Sequence, residues 1–196
     1  MNTLDEKQLW QRLLEGNKRF AAGTSLHPHQ TAARRTELTG GQQPFAVIVG
    51  CSDSRVSPEI IFDQGLGDLF VVRVAGNIVD GVVLGSIEYA VEHLGAPLIV
   101  VLGHESCGAV TAAVRANKVH GHISSVVEAL KPAVKKARMQ TGSVVENVIS
   151  ANVEITVERL KQSAPILSEF VKAGKLEIIG AYYDLKTGLV NAQHPL

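Results

Sequence analysis

Two short stretches of the chain combine side chains that could carry out chemistry. The first is the run CSDSR at residues 51–55, and the second contains His104 and Cys107; each follows an apolar run. Thiolate sulfur and imidazole nitrogen are ligands that zinc prefers in proteins. Since His104 and Cys107 are three residues apart on a turn that enters a helix, both can point at one ion. Cys51, His104 and Cys107 are therefore predicted to hold one zinc ion per chain, with a fourth position for water or Asp53.

Three protein ligands and one open position are typical of catalytic zinc, which lowers the pKa of a bound water toward ~7. Asp53 and Arg55 are predicted to form an ion pair, in which one carboxylate oxygen accepts the proton of that water and orients it. Two other hypotheses use the same residues. A zinc-binding structural or sensory module would keep a fourth permanent ligand, and a thiol redox protein would oxidise Cys51 and Cys107, although these lack the close Cys-x-x-Cys spacing.

The two stretches must be brought together by the elements that precede them. Phe45–Val49, Leu69–Val74 and Leu98–Leu102 are short, continuous apolar runs, which is typical of strands covered on both faces in a parallel sheet. Ligands bind such sheets at the carboxyl ends of the strands. We therefore expect Cys51 and Cys107 to converge there, although 56 positions (107 minus 51) separate them.

The remaining segments complete an α/β pattern. A helix that ends near Gly95 is predicted between the second and third strands, and residues 108–170 are mostly helical in pattern. Leu176–Gly180 is predicted to be a fourth strand, followed by a hairpin through Thr187 and Gly188. The predicted fold class is α/β, with a mostly parallel central sheet of about four to five strands flanked by helices and an N-terminal helical arm.

The N-terminal segment has its own pattern. Thr3 and Glu6 form a capping-box signature, and apolar residues then recur at helical spacing until Gly23. The apolar face of this helix is predicted to clasp a neighbouring subunit. We expect a single domain over residues 1–196, with residues 1–40 as helix and arm and residues 41–196 as the α/β core.

Composition excludes several classes of function. The chain has 196 residues, with 19 basic and 19 acidic side chains, so its charge offers no reason to expect nucleic acid as a partner. It contains no run of about 18 apolar residues that could span a membrane, and its start does not resemble a secretory signal. We expect a cytoplasmic protein without a structural disulfide, since that compartment is reducing.

Four motifs together resemble the β-class carbonic anhydrases: CSDSR at 51–55, FVVRVAGN at 70–77, SIEYAVEHL at 86–94 and GHESCG at 103–108. The resemblance extends from about Gln42 to Val190. It implies reversible hydration of carbon dioxide to bicarbonate and a proton, by attack of zinc-bound hydroxide that an Asp53–Arg55 dyad orients. It also implies that Asp53 can be a fourth zinc ligand in an inactive state.

The same resemblance implies substrate contacts and a homodimer, or a tetramer built as a dimer of dimers. Gln42 matches a glutamine that reaches substrate across the dimer interface, and Gly108 matches a position whose backbone faces substrate. The apolar substrate wall would comprise Phe70, Ala75 and Tyr89.

One departure from the family pattern, two candidate histidines and one rival activity complete the sequence-based expectations. Ile48 stands where family members with a regulatory bicarbonate site have tryptophan, so that regulation is not expected here. His120 and His122 are candidates for exporting the proton, since imidazole titrates near neutral pH. Related folds hydrolyse carbon disulfide or carbonyl sulfide with the same zinc ligands, and the sequence leaves this alternative open.

Overall fold

The computed structural model describes residues 5–115 and 119–193. Its strands are β1 (Ala46–Gly50), β2 (Leu69–Arg73), β3 (Leu98–His104), β4 (Glu177–Tyr183) and β5 (Val190–Ala192). Its α-helices are α1 (Glu6–Ala21), α2 (Ala32–Glu37), α3 (Pro58–Ile61), α4 (Gly81–Glu92), α5 (Gly108–Arg115), α6 (Ile123–Ala137), α7 (Val144–Lys161) and α8 (Ile166–Lys172), and 3-10 turns form at Leu38–Gly40 and Ala75–Asn77. Within these described ranges, no helix is both long and apolar enough to cross a bilayer.

The five strands form one sheet in the order β2-β1-β3-β4-β5. The first four are parallel, and β5 runs antiparallel to β4. The α/β fold with a mostly parallel sheet flanked by helices is thus confirmed. At the carboxyl edge of the sheet, Gly50 pairs with both Arg73 and Leu102, so the residues that follow β1, β2 and β3 lie next to one another.

Helices cover both faces of the sheet, which explains why the strands are continuously apolar. Val47 and Val49 of β1 pack with residues of α4, α7 and α8. The alternate residues, Ala46 and Ile48, pack with α1 and α3 on the opposite face. A third cluster, formed with residues of α5, α6 and α7, includes Cys51 and Cys107. The two thiols therefore lie at the border between the sheet and a helical cap.

The N-terminal helix differs from the prediction in its start and its partner. Thr3 lies outside the described residues, and the capping box that the structure shows is formed by Asp5 and Gln8, whose backbone amide donates to Asp5 Oδ1. Leu9, Trp10 and Leu13 are buried in the cluster on the second face of the same chain's sheet. The apolar face predicted to clasp a neighbouring subunit is therefore covered by its own subunit.

Close packing of α1 against the end of α3 predicts a large effect for Gly16→Ala. A Cβ at Gly16 would lie 1.8 Å from the backbone oxygen of Phe62, which cannot move without shifting the chain. We expect the substitution to lower the free energy of unfolding by about 2–3 kcal/mol in urea titrations at fixed protein concentration. Glu15→Ala, at the exposed neighbouring position, should change it by less than about 0.5 kcal/mol. Equal stability of the two variants would contradict this packing.

Two buried carboxylates hold the arm that follows α1. Asp63, whose side chain is 1% exposed, accepts hydrogen bonds from Arg19 Nε at 2.7 Å and from the amides of Leu26 and His27. Asp68 contacts Arg12 and His29 in the same way. Burial acts to raise the pKa of Asp63, but these donors outweigh it and hold the pKa below its usual range.

Asp63→Asn should therefore destabilise the protein in a pH-dependent way. A carboxylate with a lowered native pKa stabilises the fold above its unfolded pKa of about 3.9, and that contribution is lost as the pH falls through the native value. We expect a loss of about 1–3 kcal/mol at neutral pH that shrinks below about pH 4. Urea unfolding at a series of pH values measures it, with the exposed Glu37→Gln as control. A pH-independent loss would contradict the argument.

Candidate active site

The three predicted ligands meet at the carboxyl edge of the sheet. Cys51 follows β1, His104 ends β3, and Cys107 precedes α5. Two sulfur atoms and one imidazole nitrogen lie within 4.8 Å of one another, and all three residues are buried. The cluster predicted from the spacing of the motifs is thus brought together by the fold.

The imidazole of His104 has one nitrogen ready for a ligand. Its Nδ1 lies 2.9 Å from the carbonyl oxygen of Glu105 and donates to it, so Nε2 carries the free lone pair. Nε2 is buried and has no hydrogen-bond partner. A buried polar atom without a partner is unfavourable, and a metal ion at the cluster would satisfy it.

The two thiols also favour a cation. A hydrogen bond with Cys107 lowers the pKa of Cys51 to about 4, and the same contact together with burial raises the pKa of Cys107 well above its usual value. Ionising both sulfurs at once is therefore unfavourable in the absence of a nearby positive charge, which a metal ion would supply. Both cysteines are free, and the donor set of two sulfurs and one nitrogen fits zinc.

Asp53 is held beside this cluster by Arg55. The guanidinium donates two hydrogen bonds to the carboxylate, from Nε to Oδ1 at 2.9 Å and from Nη2 to Oδ2 at 2.8 Å, and the backbone amide of Arg55 donates a third at 3.0 Å. These donors hold the pKa of Asp53 well below its usual range. Oδ2 also lies 3.9 Å from His104 Nε2, so the ionised carboxylate faces the cluster while paired with Arg55.

Two hydrogen-bond donors whose role here was not predicted from the sequence, Arg73 and the amide of Gly76, fix the loop after β1. Arg73, at the end of β2, donates from Nε to the carbonyl oxygen of Cys51 at 2.9 Å and from Nη2 to that of Asp53 at 2.6 Å. The amide of Gly76 donates to the sulfur of Cys51 at 3.2 Å. The sequence offered one signal for Arg73, a charged side chain at the end of an apolar strand. A partly buried arginine there is expected to have specific hydrogen-bond acceptors.

Comparison with known proteins identifies the family. Residues 46–190 match the family described as carbonic anhydrase. The chain is 50% identical over 183 residues to carbonic anhydrase 2 of Mycobacterium tuberculosis, covering 91% of this chain and 88% of that one. The chain belongs to the β-class carbonic anhydrase family. It is also 46% identical over 191 residues to a carbonic anhydrase of Mycolicibacterium smegmatis, covering 95% and 93% of the two chains.

Solved structures of β-carbonic anhydrases have the same fold. One from Sordaria macrospora, described as tetrameric, superposes with a TM-score of 0.77 at 28% identity and covers 96% of this chain and 98% of that one. A Coccomyxa β-carbonic anhydrase in complex with acetazolamide superposes with a TM-score of 0.74 at 29% identity, covering 97% and 87%. The prediction that this chain is an enzyme of the β-carbonic anhydrase family is therefore confirmed.

The residues predicted to contact substrate lie at different distances from the cluster. Ala75 and Gly108 adjoin it, since the first precedes the Gly76 amide that reaches Cys51 and the second follows Cys107. Phe70 is three residues from the end of β2, about 10 Å along the strand, and its ring centroid lies 6.5 Å from that of the half-exposed Tyr89.

Gln42 lies at the opposite edge of the sheet. It is exposed and precedes β1, whereas the cluster follows that strand, so about 17 Å of strand separates the two within one chain. His120 and His122 are exposed in the loop before α6. One chain therefore brings together the three ligands, Asp53 and Arg55 but not Gln42.

Proposed function

We propose that this protein catalyses the reversible hydration of carbon dioxide to bicarbonate and a proton, with one zinc ion held by Cys51, His104 and Cys107. The observation that carries the proposal is the partnerless Nε2 of His104, which lies beside two sulfurs and an ionised carboxylate. When bound there, zinc would lower the pKa of a coordinated water toward ~7. Membership of the carbonic anhydrase family supports this reaction and this metal.

The side chains around the cluster have separate tasks in this proposal. Asp53 accepts a hydrogen bond from the attacking water and so orients its lone pair, and Arg55 fixes the carboxylate through its bidentate contact. Ala75 and the backbone at Gly108 border the space where carbon dioxide would lie. An apolar border suits this substrate, because carbon dioxide has no charge to pair.

Metal analysis and hydration assays test this proposal together. We expect one zinc per purified chain and a rate of carbon dioxide hydration that rises with pH, followed by a pH indicator in stopped flow. Stoichiometric zinc without hydration at any pH would overturn the proposal. Activity on carbonyl sulfide or carbon disulfide would then favour the related hydrolases, and a disulfide between the two cysteines without zinc would favour a redox protein.

We also propose that the site is completed by a second copy of the chain. Since Gln42 lies at the far edge of its own sheet, it can reach a cluster only in another subunit. β2 is an edge strand of the sheet, and the adjoining helix α4 exposes large apolar side chains, with Val82 80% and Tyr89 49% exposed, which favours pairing there. Val82→Glu should yield monomers by light scattering, and an unchanged dimer would contradict this surface. A tetramer would need a second contact surface, between two such dimers. The cytoplasmic location is a separate prediction from the sequence.

A further inference from the structure

The turn between two of the candidate ligands has an unusual backbone. Ser106 lies between His104 and Cys107 and has φ 55°, in the left-handed region that residues other than glycine rarely adopt. Such a conformation persists only when neighbouring groups hold it. The question is which side chain does so.

Glu146, in the first turn of α7, holds one side of this turn. Its Oε1 accepts a hydrogen bond from the backbone amide of Ser106 at 3.2 Å. Its Oε2 accepts another from the hydroxyl of Tyr182 at 2.5 Å, so the carboxylate is fixed from two directions. Without Glu146, the amide of Ser106 would lose this partner.

The other side of the same turn contacts the dyad. Arg55 Nη2 donates to the carbonyl oxygen of Ser106 at 3.4 Å, and the same nitrogen donates to Asp53 Oδ2. A movement of Ser106 would therefore change the position of Arg55 as well as the spacing of the two ligands. Among the described residues, Glu146 has the side chain that accepts a hydrogen bond from an amide of this turn, while the carbonyl oxygen of Tyr183 accepts one from the amide of Glu105.

Helix α7 is itself packed closely against the sheet beside the cluster. A Cβ at Gly103 would lie 2.7 Å from Val153 Cγ2, so the glycine allows this approach. From the same helix, Asn152 donates to the carbonyl oxygen of Gly76 at 3.0 Å, and the amide of Gly76 donates to Cys51. The helix that carries Glu146 is thus held rigidly with respect to the ligands.

We propose that Glu146 is a positioning residue of the active site, which holds the left-handed turn at Ser106 and thereby sets the geometry of the metal ligands and of Arg55. The proposal deepens the zinc-dependent function proposed above and rests on it. A simpler explanation is that Glu146 only stabilises the start of α7, where an acidic side chain interacts favourably with the helix dipole. The two explanations differ in what happens at the metal.

Cobalt spectroscopy separates them, because the visible bands of Co²⁺ depend on ligand geometry whatever the rate of catalysis. Cobalt-substituted wild type, Glu146→Ala and Glu146→Gln should be compared with Glu154→Ala, an acidic residue of the same helix that pairs with Lys136. We expect shifted bands and about 10-fold weaker cobalt binding in Glu146→Ala. Glu146→Gln keeps an acceptor for the Ser106 amide and should restore most of the wild-type spectrum, and Glu154→Ala should match wild type.

Kinetics of the zinc enzymes supply the second readout. In Glu146→Ala we expect kcat to fall about 10-fold, with KM changed less than about twofold, since the turn orients reacting groups. Unchanged cobalt bands in Glu146→Ala, or the same band shift in Glu154→Ala, would overturn the positioning role. If Glu146→Ala does not fold, Tyr182→Phe replaces it and unchanged bands count equally against the proposal. Absence of hydration in wild type would instead refute the proposed function, and the cobalt comparison would still decide the role of Glu146.

Discussion

Asp53→Asn is expected to lower kcat for carbon dioxide hydration about 100- to 10,000-fold while leaving one zinc bound per chain. Asparagine has the size of aspartate and keeps one oxygen that can accept a hydrogen bond from Arg55, but an NH2 group, which only donates, replaces the second carboxylate oxygen. The position next to the cluster, which Asp53 Oδ2 occupies, then no longer offers an acceptor to the attacking water. Stopped-flow hydration assays with parallel metal analysis measure both quantities.

The pH dependence of this loss gives a sharper test. Since Arg55 holds the pKa of Asp53 well below its usual range, the carboxylate is ionised from about pH 6 to about pH 9. The ratio of kcat in wild type to kcat in Asp53→Asn should then be constant over that pH interval. Asp80→Asn, which changes the N-cap of α4, is the matched control and should retain wild-type kcat. More than about half the wild-type rate in Asp53→Asn would exclude the role of Asp53 as hydrogen-bond acceptor for the attacking water.

Cys107→Ser should remove the metal and with it the activity. A serine hydroxyl does not ionise near neutral pH, so the site would keep one thiolate and one imidazole. Removing residues that merely support a ligand weakens metal binding about 10- to 100-fold, and loss of a ligand should exceed that. Chelator competition measures the affinity, and hydration should fall to the uncatalysed rate.

The control for this variant is Ser52→Ala, an exposed neighbour of Cys51 that should keep stoichiometric zinc. The rates at which a chelator removes zinc from Cys107→Ser and from Ser52→Ala are then compared. Equal, slow rates would show that Cys107 is not a ligand. Far-UV circular dichroism on both proteins establishes that loss of metal is not loss of the fold.

The proximity of Cys51, His104 and Cys107 and the sheet itself could be predicted because their signals are local. Buried parallel strands read as continuous apolar runs, and β1 and β3 begin within one residue of the predicted positions. Parallel strands also place their carboxyl ends at one edge, so Cys51 and His104 had to approach each other. The side chains provide the chemistry, and the topology provides their proximity.

The supporting contacts could not be predicted, because they depend on how α7 lies against the sheet. Nothing in the sequence around Glu146 or Asn152 distinguishes these residues from other polar positions of a helix. Their roles follow from the close approach at Gly103, which is a property of the packed core. The helix cap was misplaced for a different reason, since Thr3–Glu6 and Asp5–Gln8 have the same spacing and Asp5 caps as well as threonine.

The wide separation of Cys51 and Cys107 along the chain has a consequence for folding. An ion bound to both would act as a cross-link that closes a loop of 56 positions (107 minus 51). An ion that binds the folded chain but not the unfolded one stabilises the fold by mass action, by about 4 kcal/mol when the free ion is at about 1,000 times its dissociation constant. Cys51, His104 and Cys107 come together only after β1 and β3 have paired. The ion would therefore bind late in folding and would then stabilise the folded chain against unfolding. The proposed catalytic centre would thus also contribute to stability, by linking the ends of β1 and β3.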